Sequence, residues 1–186
     1  MSVLDQSATT HHQSRDLERL FNQEFIDFQT QLVGGATEPL YSPGRVEAET
    51  STIYYTRDYF ASALHEVSHW CIAGSARRQQ EDYGYWYEPD GRDAQQQQLF
   101  ERVEVKPQAL EWIFSAASGY RFRLSADNLN AAVGLSEHFK DAVLDQVQRY
   151  CRDGLSIRPA RFMARLADFY NVEQPLSSEH YTRDQL

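Results

Sequence analysis

The run His65-Glu66-Val67-Ser68-His69 constrains this chain more than any other stretch. Its histidines are four residues apart, so on a helix both imidazoles leave one side, a turn apart, and can reach a single metal ion. The surrounding sequence predicts that helix. Phe60, Ala63, Leu64, Val67, Trp70 and Cys71 recur at helical spacing and make one apolar stripe for a core. His65 and His69 fall on the other side, beside Ser62, with Glu66 between them and the Trp70 edge. They are not core histidines. Either their face looks only at water and the motif is a chance match, or a second polar segment covers it and the histidines line a cleft.

A third ligand would come from elsewhere in the chain, and residues 100–114 supply the candidates. As a helix, this stretch predicts Leu99, Val103, Leu110, Ile113, Phe114 and Ala117 as its buried stripe, with Glu104, Gln108 and Glu111 on the next face and Glu101 further round. Pro107 complicates the helix, because proline loses a hydrogen bond and crowds the preceding turn. The alternative is an extended path through Val103, Glu104 and Val105, with the helix starting at Pro107. In both paths Glu104 is set apart from its apolar neighbours, which makes it the favoured carboxylate ligand, with Glu101 and Glu111 as substitutes. The bland alternative is a solvated acidic face. His138, near a helix start, and His180, in a polar tail, are weaker candidates.

With 186 residues, 41% of them hydrophobic, the chain suits one well-cored domain. An excess of 27 acidic over 18 basic residues argues against a general nucleic-acid binder or an anionic-membrane binder. The two cysteines, Cys71 and Cys151, form no C-x-x-C pair, and a disulfide framework is not expected. No signal-peptide pattern or long apolar span is present, which leaves the cytoplasm as the expected location. Oligomeric state is not legible.

Along the chain, residues 1–13 are expected to be disordered, residues 14–170 to form the metal-binding catalytic domain, and residues 171–186 to be a polar tail. A first helix is predicted from Ser14, with Leu17, Leu20, Phe21, Phe28 and Leu32 inward and Gly34-Gly35 as its stop. Residues 51–56 read as a strand that runs into the motif helix, a layout similar by analogy to small zincin-type sites. The aromatic and turn-rich residues 83–93 read as a loop, either one wall of a substrate cleft or simply packed on the core. Two closing helices are predicted: one from Ser136 to Gly154 with Phe139, Val143, Val147 and Tyr150 inward, and one from Pro159 to Tyr170 with Phe162, Leu166 and Phe169 inward. The fold class is α+β, an α-rich single domain with a small β-sheet.

Several long blocks resemble one family. Residues 59–74 around the motif, Gly84-Tyr85-Trp86-Tyr87-Glu88-Pro89-Asp90-Gly91-Arg92-Asp93-Ala94-Gln95, Val103-Glu104-Val105-Lys106-Pro107-Gln108-Ala109-Leu110 and Arg158-Pro159-Ala160-Arg161-Phe162 are similar to the signature stretches of the bacterial elongation factor P hydroxylases. The resemblance spans residues 14–170. It implies a monooxygenase that hydroxylates the β-lysylated lysine of translation elongation factor P. It also implies a non-haem metal, expected to be Fe(II) with zinc as the alternative, held by His65, His69 and Glu104, with dioxygen as co-substrate. Glu66 is the candidate catalytic residue, its role open between ligand, base and support. Tyr85, Trp86, Asp90 and Asp93 are the candidates for holding a long cationic side chain, since aromatic faces and carboxylates attract ammonium groups. No pattern marks a site for 2-oxoglutarate, whose use is not expected.

The residues taken without the resemblance rank differently. H-E-x-x-H is the spacing of zinc hydrolases, in which Glu66 would activate a zinc-bound water as general base of a zincin-type peptidase. A non-catalytic domain with a structural metal is the third class. The resemblance puts the hydroxylase first.

Overall fold

A long helix with core on two sides organises the chain. The computed structural model describes residues 11–46, 49–81, 93–125 and 135–186. Among these residues five helices, α1 (Ser14–Glu24), α2 (Phe60–Ile72), α3 (Ala94–Ala117), α4 (Glu137–Asp153) and α5 (Ile157–Tyr170), accompany three strands, β1 (Thr30–Ala36), β2 (Leu40–Ser42) and β3 (Ser51–Thr56). The expected α-rich α+β class is what is found. On one side of α3, Leu110, Phe114 and Ala117 join a core built from α1, α2, α5 and the sheet. On the other, Ala109, Trp112 and Ile113 pack with Phe139, Val143 and Val147 of α4.

The sheet places the motif helix. β3 is central in the order β1-β3-β2, parallel to β1 and antiparallel to β2, with Leu32 opposite Ile53 and Tyr41 opposite Ile53 from the other side. Ile53 and Tyr55 point into the core. α2 begins four residues after β3, and the Thr56 backbone N–H donates to Ser62 Oγ at 3.1 Å, locking the strand end to the first turn of the helix. Trp70 meets Phe21 and Phe25 edge to face, with ring centroids 5.1 and 4.9 Å apart, so the apolar stripe of α2 is held by α1. At the other end, Arg158 of α5 donates to the carbonyls of Trp70 and Ala73 at 2.7 and 2.6 Å, and Arg78 donates to Ala73 at 2.6 Å. Two cations thus cap the negative end of the helix dipole.

Several expectations fail for identifiable reasons. The first helix ends at Glu24, and Leu32 and Gly34 lie in β1. Gly34 is not a helix stop: a Cβ there would lie 2.5 Å from the Tyr55 hydroxyl, so glycine lets the strand pass that ring. α3 runs unbroken through Pro107, because packing on both flanks outweighs one lost hydrogen bond. Its expected inward residues Leu99 and Val103 are 49% and 45% exposed, as is Phe169 of α5 at 39%. Arg19 lies over the Phe169 ring instead.

Described residues near both chain ends touch the core. His12 meets Phe60 and Tyr120 edge to face and Tyr170 at a tilt, and its Nε2 lies 2.7 Å from the Ser118 carbonyl. Beyond Tyr170 the tail folds back, and Tyr181 is buried edge-on against Trp112. An aromatic side chain in a polar segment is enough to anchor it.

Replacing Phe114 by Ala is expected to cost about 3–5 kcal/mol, because it empties a site in the shared core. Leu99→Ala is expected to cost less than about 0.5 kcal/mol. Chemical denaturation of the two variants checks this, and similar losses would contradict the burial assigned to α3.

Candidate metal centre

The polar face of α3 is its buried face. Gln97, Glu101, Glu104, Gln108, Glu111 and Ser115 recur at alternating steps of four and three, and all six are buried. Residues at that spacing form one seam along a helix. Three carboxylates in such a seam would be very costly without partners. Glu101 has one at the start of α4, where Ser136 donates to it from its backbone N–H at 3.2 Å and its hydroxyl at 2.5 Å. The other two face the histidines of α2.

Glu111 accepts a hydrogen bond from His65 Nδ1 at 2.8 Å. That bond assigns the proton to Nδ1 and turns Nε2 toward His69 and Glu104. The two Nε2 atoms lie 3.0 Å apart, and they lie 3.6 Å (His65) and 3.4 Å (His69) from the Glu104 oxygens. One ligand atom from each of the three residues falls within 4.8 Å of the others. Glu104 is 2% exposed, and its Oε2 is buried with no hydrogen-bond partner among the described residues. Two imidazole nitrogens and one carboxylate oxygen around a point, one of them an orphaned buried acceptor, are a donor set that fits a divalent metal ion.

The electrostatics agree. Burial alone would push the His65 pKa down, yet the Glu111, Glu104 and Glu66 carboxylates lift it well above the ordinary histidine value. Burial likewise opposes ionisation of Glu104, but His69 and His65, with a hydrogen bond from Gln108, hold its pKa below the usual carboxylate range. The pocket therefore favours a positive charge between these groups, and without a metal a proton takes that place.

Two clefts flank the cluster. One, of about 210 Å³, has His69 and Glu104 in its wall with apolar Tyr41, Trp70, Ile72 and Pro107. Pro107 also removes the N–H that would bond the Val103 carbonyl, and both residues line this cleft. The second, of about 270 Å³, is more polar and takes in His65, Gln108, Glu111 and Arg123. Glu66 lines both.

His65, His69 and Glu104 are thus brought together, with Glu111 behind His65 and Glu101 occupied elsewhere. Glu66 stands outside the set of three. His138 and His180 are exposed, on α4 and in a short 3-10 turn near the C-terminus. Tyr85, Trp86 and Asp90 lie outside the described residues. Asp93 caps α3, its Oδ1 accepting from the backbone N–H groups of Gln95 and Gln96 at 2.9 and 2.8 Å. The sequence reading missed the support of His65 by Glu111, although a seven-residue step from Glu104 marks the same helix face. It also missed Arg158 as the cap of α2, for which no local pattern exists.

The family model described as elongation factor P hydroxylase matches residues 20–181. A protein of Haemophilus influenzae (strain ATCC 51907 / DSM 11121 / KW20 / Rd) named elongation factor P lysine hydroxylase is 47% identical over 167 residues, covering 89% of this chain and 94% of that protein.

Glu111→Ala is expected to weaken divalent-metal binding by about 10–100-fold, the usual effect of losing a carboxylate behind a ligating histidine. Glu111→Gln, which can still accept from Nδ1, should lose less. Cobalt(II) titration with a competing chelator reads both. Metal affinity in the unchanged protein should also rise with pH beyond the ordinary histidine range, because the ion must displace a proton that His65 holds more tightly than usual. Affinity independent of pH between about 6 and 8.5 would contradict the competition.

Proposed function

The chain belongs to the elongation factor P hydroxylase family, and from that premise we propose how it acts. It is an enzyme that hydroxylates a lysine of translation elongation factor P, and the form it accepts is the lysine already extended by a β-lysyl group. His65, His69 and Glu104 hold a non-haem metal ion, Fe(II) in preference to zinc. The observation that carries this reading is the Glu104 carboxylate, buried beside two imidazole nitrogens with no hydrogen-bond partner on Oε2 among the described residues.

Hydroxylating an unactivated C–H bond is beyond acid and base side chains, so a redox ion with open coordination positions supplies dioxygen activation when bound. The chain's own residues do the rest. Glu111 fixes the His65 ring and its tautomer. Gln108 steadies Glu104. Tyr41, Trp70, Ile72 and Pro107 shape an apolar cleft at the His69 and Glu104 side, where a long aliphatic stem displaces water as it enters. Dioxygen is the oxygen source, and the two further electrons come from a donor outside the chain. No helix among the described residues is long and apolar enough to cross a membrane. A translation factor as substrate supports a cytoplasmic location for this chain.

The zincin-type peptidase, with Glu66 as base on a zinc-bound water, is not favoured by the family to which the chain belongs.

Incubating the protein with iron(II), a reductant, air and lysylated elongation factor P should raise the mass of the factor by one oxygen atom. His69→Ala and Glu104→Ala should abolish the gain while leaving the fold intact. Peptide cleavage with zinc, and no added oxygen, would replace the hydroxylase by the hydrolase.

A further inference from the structure

The helix that buries carboxylates turns aliphatic side chains to water. Leu99, Arg102, Val103 and Lys106 follow one another along α3 at steps of three, one and three, all four exposed, and residues so spaced share one face of a helix. Leu99 and Val103 belong to neither core. α2 and α3 run antiparallel, since His65 meets Glu111 and His69 meets Glu104, so the end of α2 at Ile72 lies beside the first half of this stripe. Ile72 is exposed as well, and with Val103 and Lys106 it lines the cleft that holds His69 and Glu104. Apolar side chains gathered at the mouth of a site mark a contact surface, whereas scattered ones need no explanation. The side chains of Arg102 and Lys106 stand among them with no ion-pair or hydrogen-bond partner among the described residues. The chain as a whole carries a net charge of -9, so two unpaired cations side by side are a local reversal of sign.

A side chain that belongs to a folded protein brings that protein with it. A lysine spans roughly 6 Å from Cα to nitrogen, and an added lysyl group about doubles this. The body that carries it therefore stays within that distance of the metal centre. Leu99 precedes Glu104 by five residues and Lys106 follows it by two, about 7.5 and 3 Å along the helix axis. The stripe thus brackets the centre within the reach of the tether, on the side where the cleft opens past Val103. We propose that Leu99, Arg102, Val103 and Lys106 form the surface on which the folded body of elongation factor P docks, meeting an apolar patch flanked by carboxylates beside its modified lysine. The cleft reads the side chain, and the stripe reads the protein around it. This rests on the hydroxylase reading for the identity of the partner.

Calorimetry with whole lysylated elongation factor P, and with a short peptide carrying the same lysylated lysine, tests the assignment without turnover. Leu99 and Arg102 lie outside the cleft lining, so substitutions there spare the side-chain site. Leu99→Asp should weaken binding of the whole factor by at least about tenfold, and Arg102→Glu by about fivefold while flattening its dependence on salt. Both should leave peptide affinity, cobalt(II) affinity and melting temperature unchanged. Arg152→Glu, at an exposed site by the far end of α4, should change neither affinity. Where the mass assay turns over, Leu99→Asp should raise KM for the whole factor and change kcat by less than about threefold. Unaltered whole-factor affinity in Leu99→Asp and Arg102→Glu overturns the proposal. So does a loss shared equally by the peptide, or the lack of any measurable affinity of the unchanged protein for the whole factor. A loss confined to the whole factor, with no oxygen added in the mass assay, would retain the docking surface and overturn the hydroxylase reading. A mass gain with unaltered affinity in both variants would do the opposite.

Discussion

The burial of α3 carboxylates against the imidazoles of α2 is the constraint that the rest of the structure serves. Ionised carboxylates removed from water each cost several kcal/mol unless charge and hydrogen bonds compensate. Here Glu111 is compensated by the His65 N–H, Glu101 by Ser136, and Glu104 in part by the histidines and Gln108. One oxygen of Glu104 has no hydrogen-bond partner among the described residues. A core that could have been filled with leucine instead keeps a polar seam open at one point, a cost that function explains better than stability does.

Such a seam needs rigid walls. Core lies on both flanks of α3, and Trp70 and Arg158 fix α2 from its apolar side and its C-terminal end. Because the helices cannot slide, Nε2 of His65 and of His69 stay directed at one point. Glu111 then settles the remaining freedom, the rotation and tautomer of one ring. The cleft wall is built from the same parts, since Trp70 and Ile72 of α2 and Pro107 of α3 line it beside His69 and Glu104.

How much of this was legible follows from the same forces. α2 was readable because its apolar stripe and its histidines obey one period, and every stripe residue from Phe60 to Cys71 is buried. α4 was readable to within a residue because Ser136 and Gly154 are ordinary caps. α3 was only half readable. The rule that polar residues face water put Leu99 and Val103 inside, whereas the seam of Glu101, Glu104 and Glu111 is inside and those two are exposed. Glu104 was still singled out, because its separation from apolar neighbours holds whichever face is buried. β1 was hidden by Gly34-Gly35, which mimic a helix stop until the Tyr55 ring beside Gly34 is seen. Long-range partners such as Arg158 with Trp70, 88 residues apart, leave no local trace.

X-ray absorption at the iron edge of protein loaded with one equivalent of iron(II) tests the central claim most directly. Imidazole multiple scattering from two histidines, with the remaining shell oxygen, is the predicted result, and it should fall to one histidine in His69→Ala. A shell of oxygen alone, a sulfur scatterer, or a spectrum unchanged by His69→Ala would place the ion elsewhere and contradict the account.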